Sequence, residues 1–487
     1  MRSRVVAVLC VAGPLACGGT AEPAVSSGVR VVASPQRSDT VLALAPQALI
    51  VELRGGERQI APGQAIRFEV LAPKGTTRTN ERGVHICRVD GPSCGAALIP
   101  ERVTVSDTTD KEGRARVLVR YGTITGPAWV RFAAPQSGFA DSVLFTVQPG
   151  AATRIRFQNA PAAVKVGSAI TVVASATDRW DNARADQPSF STSFSNVTID
   201  SRGRVSGLSV GRANIFASFG AYRDSSYVSV VPDGRYLFHT IEFGVARVME
   251  IAFDGSGSRF VAEKAINAQS APNGAVLVHQ FTFGSGQRLQ LVTPDVPQRR
   301  VTISDIFQRE EFGQLAANGW IYFSGALAGE SFSIWRIRPD GGGLERRTSG
   351  LGEWRSAPSP DGTKLLYHRT GIYRNAFDAW DLVVMDIQGG FPSLEIRDVL
   401  GAAWSPDGSQ IAYLSQPTRE VMVVNADGSG QRKVSNQVGY YDHLDWTTDH
   451  DLLLVRSSQG VELMRVSNGE RIPLPSTGDF LAPVAVR

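Results

Sequence analysis

The sequence predicts an all-β chain: two antiparallel sandwich domains followed by a ring of six four-stranded blades. Three observations carry this. The phrase Ser359-Pro360-Asp361-Gly362-Thr363-Lys364-Leu365-Leu366-Tyr367 returns as Ser405-Pro406-Asp407-Gly408-Ser409-Gln410-Ile411-Ala412-Tyr413. A turn signal running into an apolar segment is a hairpin corner, and recurrence at a period of about 40–50 residues indicates a repeat architecture. Weaker copies follow at Pro232-Asp233-Gly234, Pro272-Asn273-Gly274, Asn318-Gly319 and Asp449-His450, each preceding an apolar run, which makes six corners. Finally, 49 glycines and 26 prolines punctuate short apolar segments that show little helical periodicity.

The elements follow in chain order. At 487 residues the chain is too long for one ordinary core and suits about three domains. A formal net charge of +4 with 20% charged residues is too mild and too dispersed for a nucleic-acid partner. Met1-Arg2-Ser3-Arg4 is basic, and Val5 to Ala16 is an apolar run too short to span a bilayer. It ends at Leu15-Ala16-Cys17-Gly18-Gly19. Residues 1–17 thus resemble a bacterial lipoprotein signal, which implies acylation of the Cys17 thiol. In that family a leucine usually stands three places before the cysteine; here Pro14 does, and Leu15 is one place late. The competing reading is a secretory signal cleaved near Ala16 to Ala24, and both readings export the chain. Gly18 carries no inner-membrane retention acid, so the resemblance implies an outer-membrane lipoprotein, periplasmic or surface-facing, with the lipid as its only membrane contact. Residues 18–40, rich in Gly, Ser, Pro and Ala, read as a flexible tether.

Residues 41–150 alternate in the manner of strands, as in Ile66-Arg67-Phe68-Glu69-Val70 and Ala115-Arg116-Val117-Leu118-Val119. Asp110-Lys111-Glu112-Gly113-Arg114-Ala115 before a strand resembles the bacterial Ig-like domains of surface adhesins. Residues 151–231 form a second unit, in which Gly203-Arg204-Val205-Ser206-Gly207-Leu208 leading to Gly211-Arg212-Ala213-Asn214-Ile215 is similar to another bacterial Ig-like group. Residues 232–487 carry the repeats. Second apolar runs end in further tight turns, as in Val421 to Ser429 and Ile334 to Gly341. Two hairpins per repeat make one blade. The phrases Ser-Pro-Asp-Gly-x-x-Ile-x-Tyr and Asn425-Ala426-Asp427-Gly428-Ser429 resemble TolB-type six-bladed propellers, built of WD40-like repeats. That resemblance implies a fold and a possible role in engaging envelope proteins and peptides, while fold alone does not specify function.

Few residues point to chemistry. Cys87 and Cys94 flank a Gly-Pro corner, and in an exported protein this suits a disulfide loop. A metal site with His85 as third ligand is the alternative, but no fourth ligand stands nearby. Gly207-Leu208-Ser209-Val210-Gly211 matches the spacing of a nucleophile elbow, yet a strand-like run follows it where the elbow needs a helix. His239, His279 and His368 each end the strand after a corner, and together they could form a rim. Some propeller polysaccharide lyases hold a metal through such histidines; the plainer alternative is a polar residue meeting solvent or a loop backbone.

Recognition is expected on the long connections opposite the tight turns. Trp354, Arg355, Tyr373, Arg374, Tyr440, Tyr441 and His443 are the candidate ligand-binding residues there, being of types that anchor interfaces. The sequence therefore predicts a non-enzymatic, membrane-tethered envelope protein that binds a protein, peptide or glycan, with no cofactor or metal. The alternative is a metal-dependent glycan lyase or hydrolase. The first blade lacks its own innermost strand, and residues 480–486 are expected to supply it by pairing near Tyr236.

Overall fold

The computed structural model describes residues 28–55, 59–71, 83–90, 104–271, 274–280, 288–293, 300–304, 306–370, 380–435, 441–475 and 481–486. These residues are all-β, with no α-helix among them. They form two compact units, Met1–Arg154 with Ala176–Asp186, and Ile155–Ser175 with Gln187–Arg487.

In the first unit, two sheets of four and five strands share one core. Alternation decides which residues enter it. Ile66, Phe68 and Val70 are buried while Ala65, Arg67 and Leu71 are exposed and Glu69 is half-buried, as the period of two along a strand requires. The stretch read as a tether is partly strand. Gly28–Ala33 pairs with Leu49–Arg54, and Ser38–Thr40 runs parallel to Phe139–Gln148. Val29 and Val31 pack against the core, and Arg30 donates to Glu52 at 3.0 Å. That alternation was hidden by the surrounding Gly, Ser and Pro. Val84–Cys87 ends at a disulfide-bonded Cys87, whereas Cys10, Cys17 and Cys94 lie outside the described residues.

The second unit begins with two small sheets around Val164, Val205, Ile215 and Val230. Arg204–Gly207 and Gly211–Phe219 flank the Gly-x-Ser-x-Gly spacing as strands, so no nucleophile elbow forms there. This part of the unit is tied to the last repeat. Arg465 donates to the Val210 carbonyl at 2.9 Å, and Glu470 accepts from the Arg212 amide at 2.9 Å.

The remainder is a β-propeller. Successive antiparallel four-strand sets follow one another as meanders, except that the innermost strand of the first comes from the C-terminal segment Leu481–Ala485. One long strand, Leu394–Trp404, serves two sets: its first half pairs outward with Trp380–Asp386, its second half with Gln410–Ser415. The repeated phrase explains itself locally. The Ser359 hydroxyl donates to Asp361 at 2.5 Å and accepts from the Lys364 amide at 2.9 Å, while Gly362 adopts φ +69°. Ser405, Asp407, Gln410 and Gly408 repeat this arrangement at 2.6 Å, 2.9 Å and φ +72°. A Ser-x-Asp-Gly corner thus closes itself by side-chain to backbone bonds, with glycine where the left-handed residue falls.

The strand after each corner carries an apolar run because both of its faces are covered. Leu277 packs with Ile321 and Phe323 of the next set, whereas Val276 and Val278 pack with Leu237 and Val248 of the preceding one. The same division recurs to the last set, whose Leu452 and Leu454 meet Tyr236 and Phe238 of the first. The circle is completed as expected. Leu481–Ala485 pairs antiparallel with Arg235–Glu242, placing Ala485 opposite Tyr236 and Val484 opposite Leu237.

Candidate functional site

The first strand of every set faces a common axial channel, and a cavity of about 710 Å³ opens there. Each of these strands carries an irregularity at the same place. Four residues before the corner positions Ala271, Ala316, Ser359, Ser405, Thr447 and Val486 stand Asn267, Phe312, Arg355, Gly401, His443 and Ala482. All six line the cavity. The pairing register slips beside each of them, and Asn267, Phe312, Arg355 and Ala482 have φ between +44° and +54°. A bulge of this kind re-aims a side chain out of the pleat. Asparagine tolerates the left-handed region, but phenylalanine, arginine and alanine enter it only under constraint, a feature associated with functional sites.

Arg355 dominates the electrostatics. Its Nη1 donates to the Leu400 carbonyl at 2.6 Å, while its buried Nε has no partner. Its Cζ lies over the rings of Phe312, Trp354 and Trp380 at 4.9, 5.3 and 5.4 Å. Those rings also meet edge to face, Trp354 with Phe312 at 5.5 Å and with Trp380 at 4.6 Å. Burial works against the guanidinium charge, and Glu311 partly restores it. Glu311 itself is paired with Arg309.

Two histidines join Arg355 on the channel wall. Burial, reinforced by Arg355, drops His368 and His443 to a pKa of about 3, so both are neutral near pH 7. Neither ring nitrogen of His368 has a side-chain hydrogen-bond partner, although the residue is 1% exposed. Asp445 also lines the cavity, but its carboxylate accepts from the Ala485 amide at 3.0 Å and the Trp446 amide at 2.8 Å. Neutral amides from Asn267, Gln269 and Gln314 and hydroxyl residues such as Ser356 add to the polar surface.

The residues singled out from sequence divide accordingly. Trp354 and Arg355 lie not in a connecting loop but in the strand Glu353–Pro358, and His443 lies in Tyr441–Trp446. The bulges had broken the alternation that marks these as strands. Arg355 and His443 come together on the cavity, while Trp354 supports Arg355 from behind. Tyr441 belongs to the same strand as His443; Tyr373, Arg374 and Tyr440 lie outside the described residues. The three rim histidines do not form one site. Only His368 lines the cavity, and no group of three metal-ligating side chains occurs among the described residues. His279 instead serves the bulge of the next set: its Nε2 accepts the Gly313 amide at 3.1 Å, and the Phe312 amide lies 3.3 Å from Nδ1; a neutral imidazole can accept only one of the two. Gly313 sits in close approach there, since a β-carbon would come within 2.6 Å of the Leu289 side chain and displace it. Phe312, Asn267 and the glutamines were missed. Counting back four residues from each corner would have found the ring.

No protein-family model matches the chain, and no curated protein matches it. Among solved structures it is similar to TolB from Acinetobacter baumannii, at TM-score 0.42 and 12% identity, covering 62% of this chain and 83% of that one. A chain of the nidogen/laminin complex aligns at TM-score 0.42 and 9% identity, covering 52% of this chain and 98% of that one. Puromycin hydrolase aligns at TM-score 0.38 and 14% identity over 61% of this chain, which spans about half, 48%, of that enzyme.

Proposed function

We propose that this chain is a non-enzymatic binding protein of the bacterial envelope. A six-bladed propeller receives a protein, peptide or glycan in its channel, two Ig-like modules act as the stalk, and lipid on Cys17 tethers it to the outer membrane. The observation that carries the reading is the channel wall. Every first strand brings a residue to one cavity at a bulge, four of the six in the left-handed region, and the Arg355 Nε there lacks a hydrogen-bond partner while neither His368 ring nitrogen has a side-chain one. Buried polar groups ordinarily find partners, so an unmet set lining a cavity suits a ligand.

The mature full-length chain, immobilised and exposed to envelope extract, should retain a specific partner that a channel variant loses. Capture of nothing, together with stoichiometric metal that a His239/His279/His368 triple alanine variant no longer holds, would replace this reading with the metal-dependent enzyme. The tether has its own check. Mass spectrometry of the membrane fraction should find an acylated cysteine at position 17, and Cys17→Ser should move the protein to the soluble fraction. A soluble wild-type protein beginning near Ala21 or Val25 would refute the anchor.

A further inference from the structure

We propose that Arg355 holds a carboxylate in the channel, so that ligands of this protein present a free carboxyl group, carried by a small acid or by the end of a longer chain. This rests on the binding reading above. Four charged or ionisable side chains line the cavity: Arg355, His368, His443 and Asp445. Asp445 is engaged by two backbone amides, and Glu311, the acid nearest in influence to Arg355, is taken by Arg309. Among the described residues the Arg355 side chain makes one hydrogen bond, to the Leu400 carbonyl, and no ion pair within 4.0 Å.

An enclosed guanidinium without a counter-charge is costly, and proteins ordinarily pair it. Here three aromatic rings temper the cost by cation–π attraction. Rings, however, offer no acceptor to the N–H edge. What remains is a planar fork of donors, whose natural complement is a planar carboxylate. The left-handed backbone at Arg355 turns this long side chain onto the channel wall.

The surroundings select the charge of the ligand. His368 and His443 are neutral donors or acceptors and add no positive charge. Asp445 contributes a negative one. A single unpaired cation beside an engaged carboxylate favours a monoanion over a doubly charged phosphate.

The test is calorimetric titration of the full-length chain with four probes: acetate, inorganic phosphate, N-acetyl-trialanine with a free carboxyl end, and the same peptide amidated. Saturable binding of acetate or of the peptide acid is expected, with the amide weaker by roughly tenfold or more. Acetate binding as tightly as the peptide acid marks a small acid as the source; a tighter peptide acid marks a chain end. Arg355→Gln should weaken the acid probes by about tenfold or more and leave the amide unchanged. Should that variant misfold, Asn267→Asp keeps Arg355, tolerates the same backbone angle, adds a negative charge to the wall and should weaken the same probes. Equal binding of acid and amide overturns the assignment. So does phosphate at least as tight as acetate, no saturable binding of any acid in the millimolar range, or acid binding unchanged in the folded variants. If Arg355→Gln captures an envelope partner as well as wild type does, the binding reading stands and the carboxylate assignment falls.

Discussion

Truncation after Thr477 is expected to lower the melting temperature of the propeller by roughly 10–20 °C. The segment removed supplies the innermost strand of the first set, Leu481–Ala485. Val484 and Ala485 are 4% and 2% exposed, and Ala485 belongs to the core shared by the first and last sets. Its loss exposes apolar side chains worth about 1.5–3 kcal/mol for a residue such as valine. It also strips Tyr236, Leu237 and His239 of their strand partner, and each orphaned backbone group costs about 1–3 kcal/mol. Two further ties go with it: the Val486 amide on the Arg235 carbonyl at 2.9 Å, and the Ala485 amide on Asp445 at 3.0 Å. The sum is roughly 5 kcal/mol or more, and a 1 kcal/mol change moves the midpoint of a domain this size by about 2–4 °C. Differential scanning calorimetry decides it. A peptide of residues 478–487 added in trans should restore part of the loss, which a general defect in folding would not allow. An unchanged midpoint would show that the ring holds without its closing strand.

Closure was legible in the sequence because it follows from counting: a repeat that begins at its second strand needs a first one from elsewhere. The corners were legible for a similar reason. Ser359 and Asp361, and again Ser405 and Asp407, form bonds that depend on residue type at fixed spacing. The channel was not legible in that way. Its ring is defined by position relative to the corner, and its members share no chemistry: asparagine, phenylalanine, arginine, glycine, histidine and alanine. Bulges there also break the alternation by which a strand announces itself, so Trp354 and Arg355 read as loop. The histidines illustrate the same limit. His239, His279 and His368 hold equivalent places in three strands, yet His279 serves the backbone of the next set's bulge while His368 faces the cavity without a side-chain partner. Equivalent positions in a repeat share a location, and the neighbouring set decides the role.

Those histidines also make the propeller sensitive to mild acid. Burial holds His239 at a pKa of about 4 and His279, His368 and His443 at about 3, with nearby arginines adding to the shift in all but His279. In the unfolded chain each returns to about 6.5. The folded state therefore keeps them neutral while the unfolded state takes up protons as the pH drops below 6.5. Stability from this source is complete above that value and is lost as the pH falls toward 4 and then 3. At pH 5 the loss is roughly 1–2 kcal/mol for each histidine, and several kcal/mol together. Carboxylates act in a lower window. Asp407, held at about 2 by the Ser405 hydroxyl and the Ser409 amide, gives up its contribution only as the pH falls below its ordinary 3.8. Urea denaturation followed by tryptophan fluorescence suits the measurement, since six of the eight tryptophans lie beyond residue 231. The midpoint should decline steadily between pH 6.5 and 4, and His368→Gln, which removes one titrating ring, should make that decline shallower. A midpoint constant from pH 7 to pH 5 would mean that these imidazoles accept protons inside the fold, and the neutral channel wall would have to be abandoned.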